Sequence, residues 1–156
     1  MSNVNERSDV SNGTELKTVS LDALDLVRAT QSGSEMDVRV NFPFSPAFPA
    51  ATGVELEGGH NVVYFELDPG RELSTHTDSP EEIVVCLDGE TVDAWVGEAT
   101  GTIRAGDLTV IPSMAPHGFR NGGAETARFL GFFSDGTTVS EFETSVEPLG
   151  EAVLRT

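Results

Sequence analysis

From His60 onward the chain breaks into short runs of β-branched and aromatic residues. Glycine, proline or aspartate interrupts them every eight to twelve residues or so, the rhythm of an all-β sandwich or barrel. The runs predict strands over 61–67, 71–76, 82–88, 91–96, 108–111, 117–120, 126–133 and 138–143. Asp88-Gly89-Glu90 predicts a hairpin turn between the third and fourth of them. Ile83 to Leu87 is apolar at every position, so both faces of that strand should be covered, one by the barrel interior and the other by a second sheet or a partner subunit.

The N-terminal third reads differently. Residues 1–18 are polar, rich in serine and asparagine and without hydrophobic period, which predicts a disordered leader. Ser20 followed by Leu-Asp-Ala-Leu-Asp-Leu-Val-Arg-Ala predicts a short helix, with Ser20 as N-cap and Asp22 and Asp25 near its positive end. Three prolines and three phenylalanines in 41–51 forbid a helix interior and predict an extended stretch that pins its rings onto a neighbouring surface. The expected organisation is a leader (1–18), an N-terminal helix and extended segment (19–58), a barrel (59–145) and a C-terminal tail (146–156).

Charge narrows the partners. Against 26 Asp and Glu stand 9 Lys and Arg, for a net charge of -17, and Lys17 is the only lysine. Such a surface lacks the basic footprint that nucleic acids and anionic membranes require. Acidic and nearly lysine-free, it resembles the cytoplasmic proteins of salt-in halophilic archaea, in which concentrated salt screens the carboxylates from one another. The chain has no long apolar run and no basic-then-apolar leader, and the single Cys86 cannot form an intramolecular disulfide, so a cytoplasmic location is expected.

The candidate chemistry lies in two segments. In the first, Gly70, His76, Asp78, Glu82 and Gly89 follow one another at set intervals. His76 and Asp78 share a strand face because side chains alternate with period two, and Glu82 opens the next strand after Pro80. The second segment carries Gly106, Pro112, Met114, His117 and Asn121. Together they resemble the two motifs of the cupin superfamily, Gly-x5-His-x-His-x3,4-Glu-x6-Gly and Gly-x5-Pro-x-Gly-x2-His-x3-Asn, with every spacing kept and sixteen residues between the motifs. Asp78 stands where the family has a second histidine, and Met114 where it has a glycine.

The resemblance implies an all-β double-stranded β-helix, the cupin or jelly-roll barrel, with the short N-terminal helix and extension packed outside. It also implies that His76, Asp78, Glu82 and His117 hold a divalent transition metal. Two imidazoles and carboxylates suit such an ion, and the extra carboxylate favours Fe or Mn, with Ni, Zn or Cu as the other choices. The expected function is a metal-dependent enzyme, dioxygenase-like or isomerase-like, acting on a small organic molecule. The alternative is a non-catalytic small-molecule binding or sensing barrel. A second reading pairs His76, Asp78 and His117 with Arg128, in the manner of Fe(II) oxygenases that bind 2-oxoglutarate through an arginine. His60 is expected at a strand end or in solvent, Cys86 in the core, and Arg120 beside a carboxylate or an anionic substrate. The apolar strand 82–88 and the Phe/Pro segment predict a homodimer.

Overall fold

Twelve strands among the described residues follow from the alternation of apolar and polar positions, and they divide between two sheets. A computed structural model describes residues 16–48 and 52–156. The strands are β1 (Val27–Thr30), β2 (Asp37–Phe44), β3 (Asn61–Leu67), β4 (Glu72–Asp78), β5 (Glu82–Asp88) and β6 (Val92–Val96), then β7 (Ala99–Ile103), β8 (Leu108–Ile111), β9 (His117–Asn121), β10 (Ala127–Phe133), β11 (Val139–Val146) and β12 (Glu151–Arg155). One sheet runs β1-β2-β3-β10-β5-β8 and the other β12-β11-β4-β9-β6-β7. Every strand pair is antiparallel, and only an isolated bridge between Met36 and Glu72 is parallel. This is the expected all-β jelly-roll barrel.

The two inner faces meet on an aromatic trio. Phe65 stacks on Phe129 with ring centroids 4.6 Å apart, and Phe119 lies 5.5 Å from Phe129. Val84, Ile111 and Val92 close the core around them. Such aromatic pairs add about 0.5–1.5 kcal/mol each beyond their burial.

Three expectations need correction. The N-terminal helix is absent: Leu21–Ala23 makes one 3-10 turn, Ser20 forms no side-chain cap, and Val27–Thr30 pairs with β2 instead. A helix of two or three turns is marginal by itself, and the ladder to β2 satisfies the same backbone groups while burying Ala29. Asp88-Gly89-Glu90 does not close a hairpin, because β5 and β6 belong to different sheets and the glycine carries the chain across. Gly89 has φ of 151°, and a Cβ there would stand 3.0 Å from Val92. Finally, of the two covers expected for the outer face of β5, a second sheet is not found among the described residues: Ile83 is 43% exposed and neighbours exposed Val110 and Phe132 in register.

The segments read as extension and tail belong to the barrel. Residues 37–44 form β2, with Phe42 packed against the core and 5.7 Å from Phe48, while 49–51 lie outside the described residues. Residues 151–155 form β12, paired with β11. The leader expected over 1–18 falls outside the described residues as far as position 15. None of the described helices is long and apolar enough to cross a membrane.

On the outer face of β3, Tyr64 is fully buried under a charged network. Its hydroxyl donates to Glu66 at 2.6 Å and accepts from Arg128 at 2.7 Å, and Arg128 also binds Asp88 at 3.0 Å. Burial and the Glu66 carboxylate push the phenol up to about 12, against the pull of Arg128. Because Tyr64 is the only tyrosine, absorbance at the phenolate band reads it alone. While the protein stays folded, about a tenth of it should be ionised at pH 11, against about nine-tenths for a free phenol. A midpoint near 10 in folded protein would contradict this burial.

Candidate metal centre

Cross-strand registry assembles the site. In the second sheet His76 of β4 lies opposite His117 of β9 on one side and Phe142 of β11 on the other, and in the next row Asp78 lies opposite Ser140. Residues directly opposite one another on a sheet face are within side-chain reach, so the row Phe142–His76–His117 forms a continuous surface. The imidazole of His76 stacks on Phe142 at 4.6 Å and 16°, and its centroid is 4.2 Å from that of His117. A bulge in β4 between Leu73 and His76 shifts the register by one residue, which lets both side chains face the cavity. Glu82 reaches across from β5 in the facing sheet.

The donors converge on one point. Asp78 Oδ2 is 3.1 Å from His117 Nε2 and 3.5 Å from His76 Nε2, and Glu82 Oε1 is 3.7 Å from His117 Nε2. The ligand atoms of His76, Asp78 and His117 all lie within 4.8 Å of one another. Donors bound at about 2.0–2.2 Å to one ion stand about 3–4 Å apart, so this spacing fits a shared cation. Nδ1 of His76 meets the Ser74 carbonyl at 2.8 Å and Nδ1 of His117 the Ala115 carbonyl at 2.9 Å. A carbonyl only accepts, so each Nδ1 carries a proton and each Nε2 is the nitrogen turned to the centre, where the neutral ring would offer a metal its lone pair.

Two further observations fit a cation bound among these donors. Oδ2 of Asp78 is buried without a hydrogen-bond partner. Glu82 lies directly over Gly131 of β10, where any Cβ would collide with its carboxylate. The glycine therefore makes the space in which Glu82 is cradled. Burial pushes Glu82 up, and Asp78 adds to the effect. Burial also opposes charge on Asp78, but His117 and His76 outweigh it and hold that carboxyl below the usual range. Burial likewise opposes the His117 imidazolium, yet Asp78 and Glu82 outweigh it and push the ring up to about 9. Without metal the centre thus holds a proton where a divalent cation would satisfy all the donors.

Ser140 was not foreseen, since nothing in the sequence ties it to a residue 62 positions away. Its hydroxyl donates to Asp78 Oδ1 at 2.5 Å and leaves Oδ2 as the oxygen aimed at the centre. Ser140→Ala should weaken zinc affinity about 10–100-fold, read by chelator competition, because it frees the carboxylate to turn. Unchanged affinity would remove Ser140 from this role.

The other singled-out residues stand elsewhere. Asn121 is fully buried and structural: its amide donates to Leu67 and Glu125 carbonyls and its oxygen accepts from Gly123. Met114 adopts φ of 63°, the left-handed conformation that suits glycine, and its backbone N–H binds the Asp78 carbonyl. Arg128 faces outward, so it supplies no arginine for 2-oxoglutarate in the cavity. Arg120 pairs with Glu72 at 3.6 Å, His60 is exposed, and Cys86 is buried in the core.

The comparisons agree with this geometry. The family model for the cupin domain matches residues 63–133, and the barrel built around that stretch is similar in fold to solved cupins. A cupin-2 domain from Rhodospirillum rubrum superposes with a TM-score of 0.60 at 22% identity, over 76% of this chain and 75% of that one. The polyketide cyclase RemF from Streptomyces resistomycificus gives 0.57 at 21% identity over 76% and 78%. A sugar phosphate isomerase of the superfamily from Silicibacter pomeroyi gives 0.60 at 15% identity over 90% and 92%. At these identities the likeness is one of fold. No curated protein matches the chain.

Proposed function

We propose that the protein is a metal-dependent enzyme acting on a small organic molecule, with His76, Asp78 and His117 as metal ligands and Glu82 completing the donor set. The observation that carries this reading is the partnerless Asp78 Oδ2 facing two preset imidazole nitrogens at the end of a cavity of about 470 Å3. Two imidazoles and a carboxylate with open positions suit Fe(II), with Mn(II) next. The ion would act as a Lewis acid on a bound oxygen or as a site for dioxygen. The chain's own part is to fix the imidazoles through the Ser74 and Ala115 carbonyls, to aim Asp78 through Ser140, and to exclude water with the apolar walls. The barrel hosts a cyclase and an isomerase among its structural neighbours, which supports catalysis as the role of such a site.

Anaerobic reconstitution followed by elemental analysis tests the proposal. About one Fe or Mn per chain is expected for a single four-donor site. Protein that takes up none of Fe, Mn, Ni, Cu or Zn would reject it and leave a binding module. The homodimer is also proposed, on the exposed apolar row of Ile83, Val110 and Phe132. Light scattering should give twice the chain mass of 16.6 kDa, and a single-chain mass across the micromolar range would reject it.

A further inference from the structure

The cavity above the candidate metal centre has a one-sided chemistry. Its walls are Val38 and Val40 of β2, Val63 and Phe65 of β3, Phe133 of β10 and Phe142 of β11. Its volume of about 470 Å3 falls within the range of about 300–1,000 Å3 typical of drug-sized ligands. Apart from the metal-binding quartet, its polar members are few. Ser140 is engaged by Asp78, the Asn41 NH2 donates to the Asp25 carbonyl while its Oδ1 is buried without a partner, and Glu147 and Glu151 lie at the β11–β12 end.

Among the described residues, no lysine or arginine lines the cavity. Strand parity explains why. Arg28 sits between the lining residues Val27 and Ala29, and Arg39 between Val38 and Val40, so period two turns both guanidinium groups to the outer face. There each is paired, Arg28 with Asp37 at 2.6 Å and Arg39 with Glu66 at 2.9 Å and Asp68 at 2.7 Å. Arg128 on β10 is likewise turned outward, to Asp88 and Tyr64. A carboxylate or phosphate along the walls, away from the metal end and His117, would therefore be desolvated with no guanidinium or ammonium to meet it and with two glutamates near it.

We propose that the cavity takes a neutral, apolar ring system that presents one oxygen, as a hydroxyl, enol or carbonyl, to the metal end and carries no charged group along its body. The metal end rests on the function proposed above, whereas the ring-system requirement rests on the walls alone. Flat rings are favoured because Phe65, Phe133 and Phe142 offer aromatic surface on both sheets.

Calorimetry on metal-free and zinc-loaded protein tests this with three probes: 2-naphthol, 6-hydroxy-2-naphthoate and glucose 6-phosphate. Each sample is also analysed for zinc. Binding of 2-naphthol to both forms is expected, with 6-hydroxy-2-naphthoate weaker by at least about a hundredfold because its remote carboxylate finds no partner. No heat is expected from the sugar phosphate. Val40→Trp should lower 2-naphthol affinity by at least about tenfold by filling the cavity, while zinc per chain stays unchanged. Equal or tighter binding of either anion, absence of 2-naphthol binding, or indifference to Val40→Trp in folded protein would each overturn the proposal. Binding of 2-naphthol by protein that takes up no zinc would uphold the ligand class and instead reject the metal-dependent function.

Discussion

His117→Ala is expected to strip the protein of metal and also to lower the stability of the metal-free form by about 3–5 kcal/mol. The ring is 1% exposed and stands between the Asp78 and Glu82 carboxylates, at 3.1 Å and 3.7 Å. Burial disfavours its charge, but those carboxylates push it up to about 9, so near neutral pH it is a cation between them. Alanine leaves two desolvated acids facing each other. Asp78→Asn should also abolish metal binding yet destabilise far less, because a neutral amide can still accept from Ser140 and an imidazole can shed its proton. Urea unfolding read by the single Trp95 compares the two variants, and equal stability losses would contradict the charge argument. The sign with pH is fixed as well. A folded-state value raised above the ordinary 6.5 gives stability that is complete below about 6.5 and lost as pH climbs through about 9. The metal-free protein should therefore weaken over that interval, and His117→Ala should remove that dependence. Metal binding should strengthen over the same interval, since it requires the neutral ring.

What the sequence reveals of this centre is the part carried by strand parity and spacing. His76 and Asp78 share a face because they are two apart on β4, and Glu82 and His117 open their own strands, so the pattern alone brings the four candidates to the barrel interior. The residues that hold those four in place are harder to see. Ser140 acts through a cross-strand pairing that no local pattern encodes, and the bulge that turns Leu73 inward breaks the very alternation that strand reading relies on. Gly131 did leave a trace: a lone glycine within Ala-Arg-Phe-Leu-Gly-Phe-Phe suggests a close approach, and the close neighbour is Glu82. Strands β1, β2 and β12 escaped notice for another reason. They are short, as β1 and β12 are, or interrupted by Pro43, as β2 is, and they become strands by pairing with neighbours. The cavity wall they supply was hidden with them.

Raising KCl from about 0.1 to about 2 M is expected to raise the melting temperature by about 5–15 °C, equivalent to a few kcal/mol. The net charge of -17 is not neutralised locally. Among the described residues five arginines are paired, Arg28, Arg39, Arg71, Arg120 and Arg128, several of them with two carboxylates at once. On β11 and β12, by contrast, Glu141, Glu143 and Glu151 are exposed on neighbouring strands, with Glu147 between them in the chain. Salt acts on both groups. It screens the exposed arginine pairs, each worth about 1 kcal/mol or less, and so costs the fold a little. It also shortens the screening distance from about 10 Å to less than about 3 Å, which switches off repulsion among the excess carboxylates. Among the described residues the acids without an ion pair outnumber those paired with arginine, so the second effect wins and the fold gains. Glu141→Gln with Glu143→Gln should reproduce part of the gain at low salt and reduce the further rise on adding KCl. A melting temperature that is flat or falling across this range would show that the acidic surface is already tolerated in dilute buffer, and would sever the link between this composition and concentrated salt.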